Sequence, residues 1–422
     1  MSKGTSTNNP GLPHSFGSAA PLRILLVTER TPGFDNGSAI RVDNVIEGLR
    51  SAGDLTVLLV DNSRSGAHLP LDPGYRTHRV RTQSPPRWTR ATRILHLMPA
   101  NVSYRSRLDV RDAIGQTLGR RDWDLVWCNR ARVHLLTDGV ISGPRIVDLD
   151  DLNDRLLQSE IVDRKRVNGA VRTLPRSLRD WLDIRLWRRL QQRIAASVER
   201  VVVCSADDCR HLAAPNCVAV PNGYPEPPEA VHAYDRRPCR QILFVGAMTY
   251  EPNRLGVEWF VNAVLPTIRS TIPDVEFTVV GDHEGISLTH ARTRGVTFTG
   301  VVSDVTDYYS SATIAVAPLH SGGGTRLKVL EALARSVSLV ATPFACQGHG
   351  LTAGKELMVA DDAAEFARAC CDLLSDGALR TRLEAAGRQR FTSGLTSSLT
   401  SSTVCQLAVQ VASSHRAGGG TK

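Results

Sequence analysis

The apolar positions of this chain fall into two repeating series. Residues 22–28 (LRILLVT) form an apolar run too short for a helix, followed by a loop carrying Pro32, Gly33, Asp35, Asn36 and Gly37. That pattern describes a buried strand entering a turn. Over residues 39–49 the side chains Ile40, Val42, Val45, Ile46 and Leu49 recur at helical spacing, and residues 55–60 read as the next strand. The unit is strand, loop, helix, strand, and it continues through apolar runs at 125–127, 145–149 and 201–204. Unbroken apolar runs, with no polar alternation, belong to strands buried on both faces, so the pattern predicts a parallel sheet covered by helices.

At residues 221–228 the sequence PNGYPEPP breaks all periodicity, and the polar stretch up to residue 240 reads as a linker. A second series follows. Its candidate strands are residues 241–245, 275–280, 296–299, 313–317 and 338–341, with helices at 256–270, 304–311, 326–335 and 361–375. The predicted fold class is α/β, with two doubly wound Rossmann-like domains whose ligands bind at the carboxyl ends of the strands, in the cleft between them. The expected division is a disordered tail over 1–20, an acceptor-side domain over 21–225, a linker over 226–240, a nucleotide-binding domain over 241–395 and a C-terminal segment over 396–422 with a partly disordered tail.

Composition fits two domains. The 422 residues are 42% apolar and 22% charged, as in a globular protein. Nine cysteines, odd in number and without a CxxC pair, argue against a disulfide framework or a zinc ribbon. The first residues lack the apolar centre of a signal peptide, and no run reaches the ~18 apolar residues of a membrane span, so a soluble cytoplasmic protein is expected. The formal charge of +9 suggests a polyanionic neighbour. No nucleic-acid fold signature accompanies it, and an aromatic content of 5% offers few stacking platforms, so nucleic acid is not expected as a partner.

The most informative segment runs from His320 through Gly322, Gly323, Gly324 and Thr325 to Arg326, Leu327, Lys328 and Glu331, between a candidate strand and a candidate helix. Successive glycines let the backbone approach a ligand, and the helix start offers N–H groups to an anion. Arg326 and Lys328 are cations at the positive end of a helix, a placement that an anion such as a pyrophosphate would offset. Glu331 lies near enough to the same end to meet ribose hydroxyls. The bland alternative is a tight turn with solvated charges, in which Glu331 pairs with Lys328 or Arg335 at helical spacing.

Residues 241–391 resemble the C-terminal domain of family 4 glycosyltransferases, through ILFVGAMTYEPNRLGVEWFVNAVLP, FTVVGD, VTFTGVVSDVTDYYSSATIAVAPLHSGGGTRLKVLEALA and LMVADDAAEFARACCDLLSD. Residues 22–60 and 199–226 extend the resemblance with less specificity. It implies a GT-B fold and a retaining glycosyltransferase that moves a sugar from a nucleotide-diphosphate donor to a glycan, lipid-linked or small-molecule acceptor, with a role in polysaccharide biosynthesis. The nucleotide sugar is then a co-substrate, and no cofactor or metal is implied. In the family a pair of glutamates commonly lies in the donor site, the second contacting ribose. Glu331 matches the second, whereas Gly323 stands at the first. The frequent phosphate-binding Arg after the first C-domain strand is also absent, Met248 and Thr249 standing there, and Arg326 replaces it from the far side of the glycine turn.

The resemblance makes Arg326 and Lys328 the stabilisers of the leaving diphosphate, and Gly37, Asn253, Val302, Gly323, Gly324, Thr325, Leu327 and Glu331 the donor-binding set. The cluster at 148–153 (DLDDLN) falls where similar enzymes place an acceptor-side polar residue. Asp148, Asp150 and Asp151 are therefore candidates to orient the acceptor hydroxyl or take its proton, with Asp148 and Asp150 on one side if the strand continues. A helix-capping cluster and a DxD-like metal site are the other readings. Between residues 155 and 200 there are twelve Arg or Lys against five Asp or Glu, with Trp181, Ile184, Trp187 and Leu190 spaced near one helical turn. Such a stretch fits either core packing with a solvated basic face or peripheral contact with an anionic membrane. A sugar-nucleotide epimerase, a phosphorylase or a non-catalytic nucleotide-sugar or glycan-binding protein would share the cleft. A nicotinamide-dependent dehydrogenase is disfavoured, because no GxGxxG follows the first strand of either half.

Overall fold

The computed structural model describes residues 20–32, 37–61, 74–81, 98–99, 108–119, 121–168, 174–227, 240–283, 295–323 and 326–418. They form two all-parallel sheets. The first takes β1 (Leu22–Thr28), β2 (Gly53–Asp61), β3 (Arg76–Arg81), β4 (Leu125–Asn129), β5 (Arg145–Asp150), β6 (Arg200–Val203) and β7 (Cys217–Ala219) in the order β3-β2-β1-β4-β5-β6-β7. The second takes β8 (Gln241–Val245), β9 (Glu276–Val280), β10 (Val296–Phe298), β11 (Ile314–Ala317), β12 (Leu339–Ala341) and β13 (Met358–Val359) in the order β10-β9-β8-β11-β12-β13. In each sheet the chain order reverses beside the first strand, at β1/β4 and at β8/β11. This is the doubly wound plan, with a crevice at each reversal.

The strands expected from apolar runs are all present. Those not expected are β3, β7 and β13, the outer strands of their sheets. β3 (RTHRVR) buries one of its six side chains, and its polar sequence carries no apolar run to read. The helix expected over residues 256–270 begins earlier, at Glu251, and passes through a π turn at Phe260–Val264 before Pro266, which has no N–H to donate.

Each half has its own core, and the first half borrows part of its core from the end of the chain. Helix Ser397–Gly418 returns to the first sheet, where Val404, Leu407, Ala408 and Val411 pack with Val42, Val45 and Leu49 of helix Gly37–Ala52. Gly48 permits this approach, since a Cβ there would stand 2.4 Å from the Ser401 carbonyl oxygen. Ser401 donates its hydroxyl to the Asn44 carbonyl at 2.9 Å.

The same helix carries a buried charge. Arg41 is fully buried and clamps Asp148 at the end of β5, its Nε 2.9 Å from Oδ2 and its Nη2 2.7 Å from Oδ1. Its remaining nitrogen donates to the Val220 carbonyl at 3.2 Å and to Asn222. One guanidinium thus joins the first helix, the fifth strand and the start of the connection into the second half. Replacing Arg41 by Ala is expected to leave Asp148 buried and unpaired, at a cost of about 3–5 kcal/mol. Arg23→Ala, which breaks an exposed pair with Asp124, is expected to cost about 0–1 kcal/mol. Urea denaturation of the two variants checks the contrast, which similar midpoints would contradict.

Candidate functional site

The glycine turn follows β11. Gly322 has φ 126°, a left-handed value suited to glycine, and a Cβ there would lie 2.8 Å from the Tyr250 hydroxyl. The Gly323 N–H donates to that hydroxyl at 2.9 Å. Gly324 and Thr325 lie outside the described residues. The chain then enters helix Leu327–Ala334, which buries Val329, Leu330, Ala332 and Leu333 and so points its amino end away from the core. Arg326 occupies the cap position and its side chain makes no capping hydrogen bond; the Val329 N–H bonds back to the Arg326 carbonyl at 2.8 Å, and the N–H groups before it are placed for an outside acceptor.

Arg326 faces the space between the halves. Its guanidinium stacks on Phe344 with 4.1 Å to the ring centre and donates to the Gln347 carbonyl at 3.4 Å, while its buried Nε has no hydrogen-bond partner among the described residues. Burial lowers its pKa, with Asp151 opposing. Lys328 turns the other way, donating to Asn253 Oδ1 at 2.8 Å. Asn253 in turn donates to the Ala247 carbonyl at 2.9 Å, so Lys328 ties the turn after β8 to the turn after β11. Burial, with Arg326 nearby, brings the Lys328 pKa down to about 7. The structure therefore brings Arg326, Lys328, Asn253 and Gly323 together at the reversal point of the second sheet.

Glu331 is placed differently from the ribose contact expected of it. Its carboxylate is buried and accepts hydrogen bonds from Tyr224 and, at 3.3 Å, from Tyr309, with Arg335 Nε 3.6 Å away. Burial raises its pKa despite these partners. Glu331 anchors the helix to the connection between the halves. Leu327 and Val302 pack half-buried against the second core, while neighbouring Val301 is 78% exposed. Gly37 opens the first helix, and the loop over residues 33–36 before it lies outside the described residues.

The acidic cluster requires a correction. Asp148 and Asp150 do not present one side to the cleft, because the pairing of β5 with β6 slips between them and Asp150 takes a left-handed φ of 61°. Both are buried. Arg41 occupies Asp148, whereas Asp150 meets Arg130 at 3.2 Å and accepts from the Cys204 thiol at 3.0 Å. Burial pushes Asp150 upward, but Arg41 and Arg130 outweigh it and hold its pKa below the usual range. Of this cluster, the carboxylate that lines the cleft is Asp151, whose pKa rises to about 7 through burial and the charge of Asp150, partly offset by Arg130 and Arg326; Asp207 and Asp208 line the same cavity. Asp150, Asp151 and Cys204 each bring one possible metal-ligand atom within 4.8 Å of the others. Burial raises the Cys204 pKa well above its usual value, so the thiol keeps its proton for Asp150 and is not a ready ligand.

Asp151, Arg155 and Ser159 of the first half face His320, Gly323 and Arg326 of the second across a cleft of about 320 Å³. The walls touch at its edge, where the Ser159 hydroxyl lies 3.4 Å from both the N–H and the carbonyl of Gly322. Sequence patterning missed Arg41, Tyr250, Leu156 and Ser159. Arg41 alone left a signal, as a charge within the apolar rows of a helix. In the basic stretch Trp187 and Leu190 are core residues, Ile184 is half-buried, and Trp181 is 50% exposed with Arg185 stacked on it at 4.1 Å. No helix among the described residues is long and apolar enough to cross a membrane.

Comparison with known proteins agrees with this geometry. Residues 239–376, which contain the glycine turn and its helix, match the family model for glycosyl transferases group 1. A protein encoded in the cps region of Klebsiella pneumoniae, described as an uncharacterized 44.6 kDa protein, is 22% identical over 288 residues, covering 65% of this chain and 70% of that protein. Among solved structures, sucrose-phosphate synthase from Thermosynechococcus elongatus superposes with a TM-score of 0.67 at 18% identity, covering 93% of this chain and 99% of that one. Anabaena HepE in complex with UDP and glucose gives 0.62 at 12% identity, covering 93% and 100%. Trehalose 6-phosphate synthase from Burkholderia multivorans gives 0.63 at 14% identity, covering 94% and 98%. The chain has the GT-B fold of these glycosyltransferases, and residues 239–376 within its C-terminal half match the glycosyl transferases group 1 family.

Proposed function

We propose that this enzyme transfers a hexose, with retention, from a UDP-sugar to a hydroxyl of a glycan or lipid-linked glycan in polysaccharide synthesis, at the cytoplasmic face of the membrane. The observation that carries the donor reading is Arg326, a half-buried cation on the cleft wall whose Nε has no partner among the described residues, at the start of a helix that its own side chain does not cap. Arg326 and the helix N–H groups hold the diphosphate, with Lys328 and Asn253 behind them. UDP and glucose in the HepE complex support the donor class, and the cps-region relative supports the polysaccharide setting. Asp148 and Asp150 serve as scaffold here rather than as base.

In the transfer step the bond between the sugar's anomeric carbon and the phosphate oxygen breaks, and its electron pair stays on the diphosphate. The acceptor oxygen bonds to that carbon on the same face, and its proton passes to the departing phosphate oxygen. Negative charge grows on the diphosphate, where fixed cations and N–H groups stabilise it. Trp181, half-exposed beneath Arg185 on an arginine-rich helix, supports contact between that helix and an anionic membrane carrying the acceptor.

Arg326→Ala is expected to lower kcat by about 100-fold or more while the melting temperature holds, and Lys328→Ala to lower kcat similarly with a lower melting temperature, because it also unties Asn253. Full turnover in both variants would discard the donor site. UDP at a hundred times its Kd should add about 2.7 kcal/mol of stability, seen as a thermal shift that Arg326→Ala loses. Flotation with phosphatidylglycerol vesicles should succeed at low salt, weaken at high salt and weaken in Trp181→Ala; no flotation at low salt removes the membrane contact.

A further inference from the structure

The glycine at 323 is not explained by its backbone. Its neighbour Gly322 has a left-handed φ, but Gly323 does not, so any L-residue could adopt its conformation. What excludes a side chain there is the opposite wall of the cleft. A Cβ at 323 would stand 2.9 Å from one Leu156 methyl, 3.1 Å from the other, and 3.2 Å from Asp151 Oδ2. All three atoms are the ends of side chains on the opposite wall, so a side chain at 323 would have to displace Leu156 or the Asp151 carboxylate.

Among the described residues no hydrogen bond ends on the Asp151 carboxylate, which is half-buried and lines the cleft beside Arg326. A carboxylate so placed is open to a donor from a bound ligand. The sugar of the donor is linked directly to the diphosphate that Arg326 holds, which brings sugar hydroxyls within reach.

We propose that Asp151 supplies, from the first half, the side-chain carboxylate that position 323 of the second half does not carry, and that it accepts a hydrogen bond from a hydroxyl of the donor sugar. The assignment rests on the donor reading above. It makes the sugar subsite a joint product of both halves, complete only where the Asp150 corner meets the glycine turn. Asp150, Arg130, Arg326, Asp208, Tyr250 and Cys204 are charged or titratable groups that act on or beside this carboxylate. With its pKa near 7, the deprotonated and accepting form is lost as pH falls through neutrality.

The test relocates the carboxylate in the full-length chain, with UDP-glucose turnover and UDP binding both measured. Asp151→Ala should lower kcat by about 100-fold while UDP, which has no sugar, still produces its thermal shift. Gly323→Asp alone should also lose activity, because a second carboxylate is pressed against the first. The Asp151→Ala, Gly323→Asp double variant should recover at least about tenfold over Asp151→Ala. A purely structural Asp151 gives no such recovery. Wild-type kcat in Asp151→Ala, or a double variant no better than the single, overturns the proposal. Should Asp151→Ala fail to fold, Asp151→Asn serves: the loss of activity below pH 7 should vanish from its profile, and an unchanged acid limb would overturn the assignment. Failure of the wild-type protein to bind UDP would instead sink the donor reading, so the two failures are distinguishable.

Discussion

A single buried cation organises the wall that the first half contributes to the cleft. Arg41 spends both faces of its guanidinium fork on Asp148 and on the Val220 and Asn222 segment, so helix Gly37–Ala52, β5 and the chain leading out of the first sheet share one rigid point. A charge held this far from water is stable only while every partner stays in place. That requirement fixes the end of β5 and, with it, the corner at Asp150. Arg130 beside it is itself left-handed at φ 84°, so the local backbone strain gathers where the strand ends meet the cleft.

The opposite wall works by a different balance. Two cations sit within the first turn of a short helix, where the helix dipole disfavours them. Aromatic faces and an amide offset part of that cost: Phe344 beneath Arg326, Asn253 at the tip of Lys328. Both cations still have lowered pKa values, because burial disfavours their charged forms. Glu331, the neighbouring acid, cannot neutralise them cheaply, because Tyr224, Tyr309 and Arg335 already claim its oxygens. The helix is thus anchored through its acid at the back and left electropositive at the front.

Much of this was legible in the order of residues. Apolar runs of strand length located every central strand, because a strand buried on both faces leaves no room for polar alternation. They could not locate β3, β7 or β13, whose edge positions relax that demand. The glycine turn and its two cations were also legible, since backbone approach and charge at a helix start are local properties. The acidic cluster was not. Alternation along β5 would have placed Asp148 and Asp150 together on the cleft, but a slipped register and one left-handed residue buried both and delivered Asp151 instead. Glu331 failed for a related reason, its partners Tyr224 and Tyr309 lying far away in sequence.

What the sequence determined by itself, then, is the α/β alternation, the two sheets and the glycine turn that leads into a helix with two cations at its start. Each depends on neighbours within a turn or two of the same chain. Only the tertiary structure decided which carboxylates face the cleft, which are consumed as anchors, and which side chains stand opposite Gly323. Those outcomes depend on side chains meeting across the two halves, Asp151 and Leu156 against the glycine turn, and a hydrogen bond or a steric contact between distant residues leaves no periodic trace in the chain that makes it.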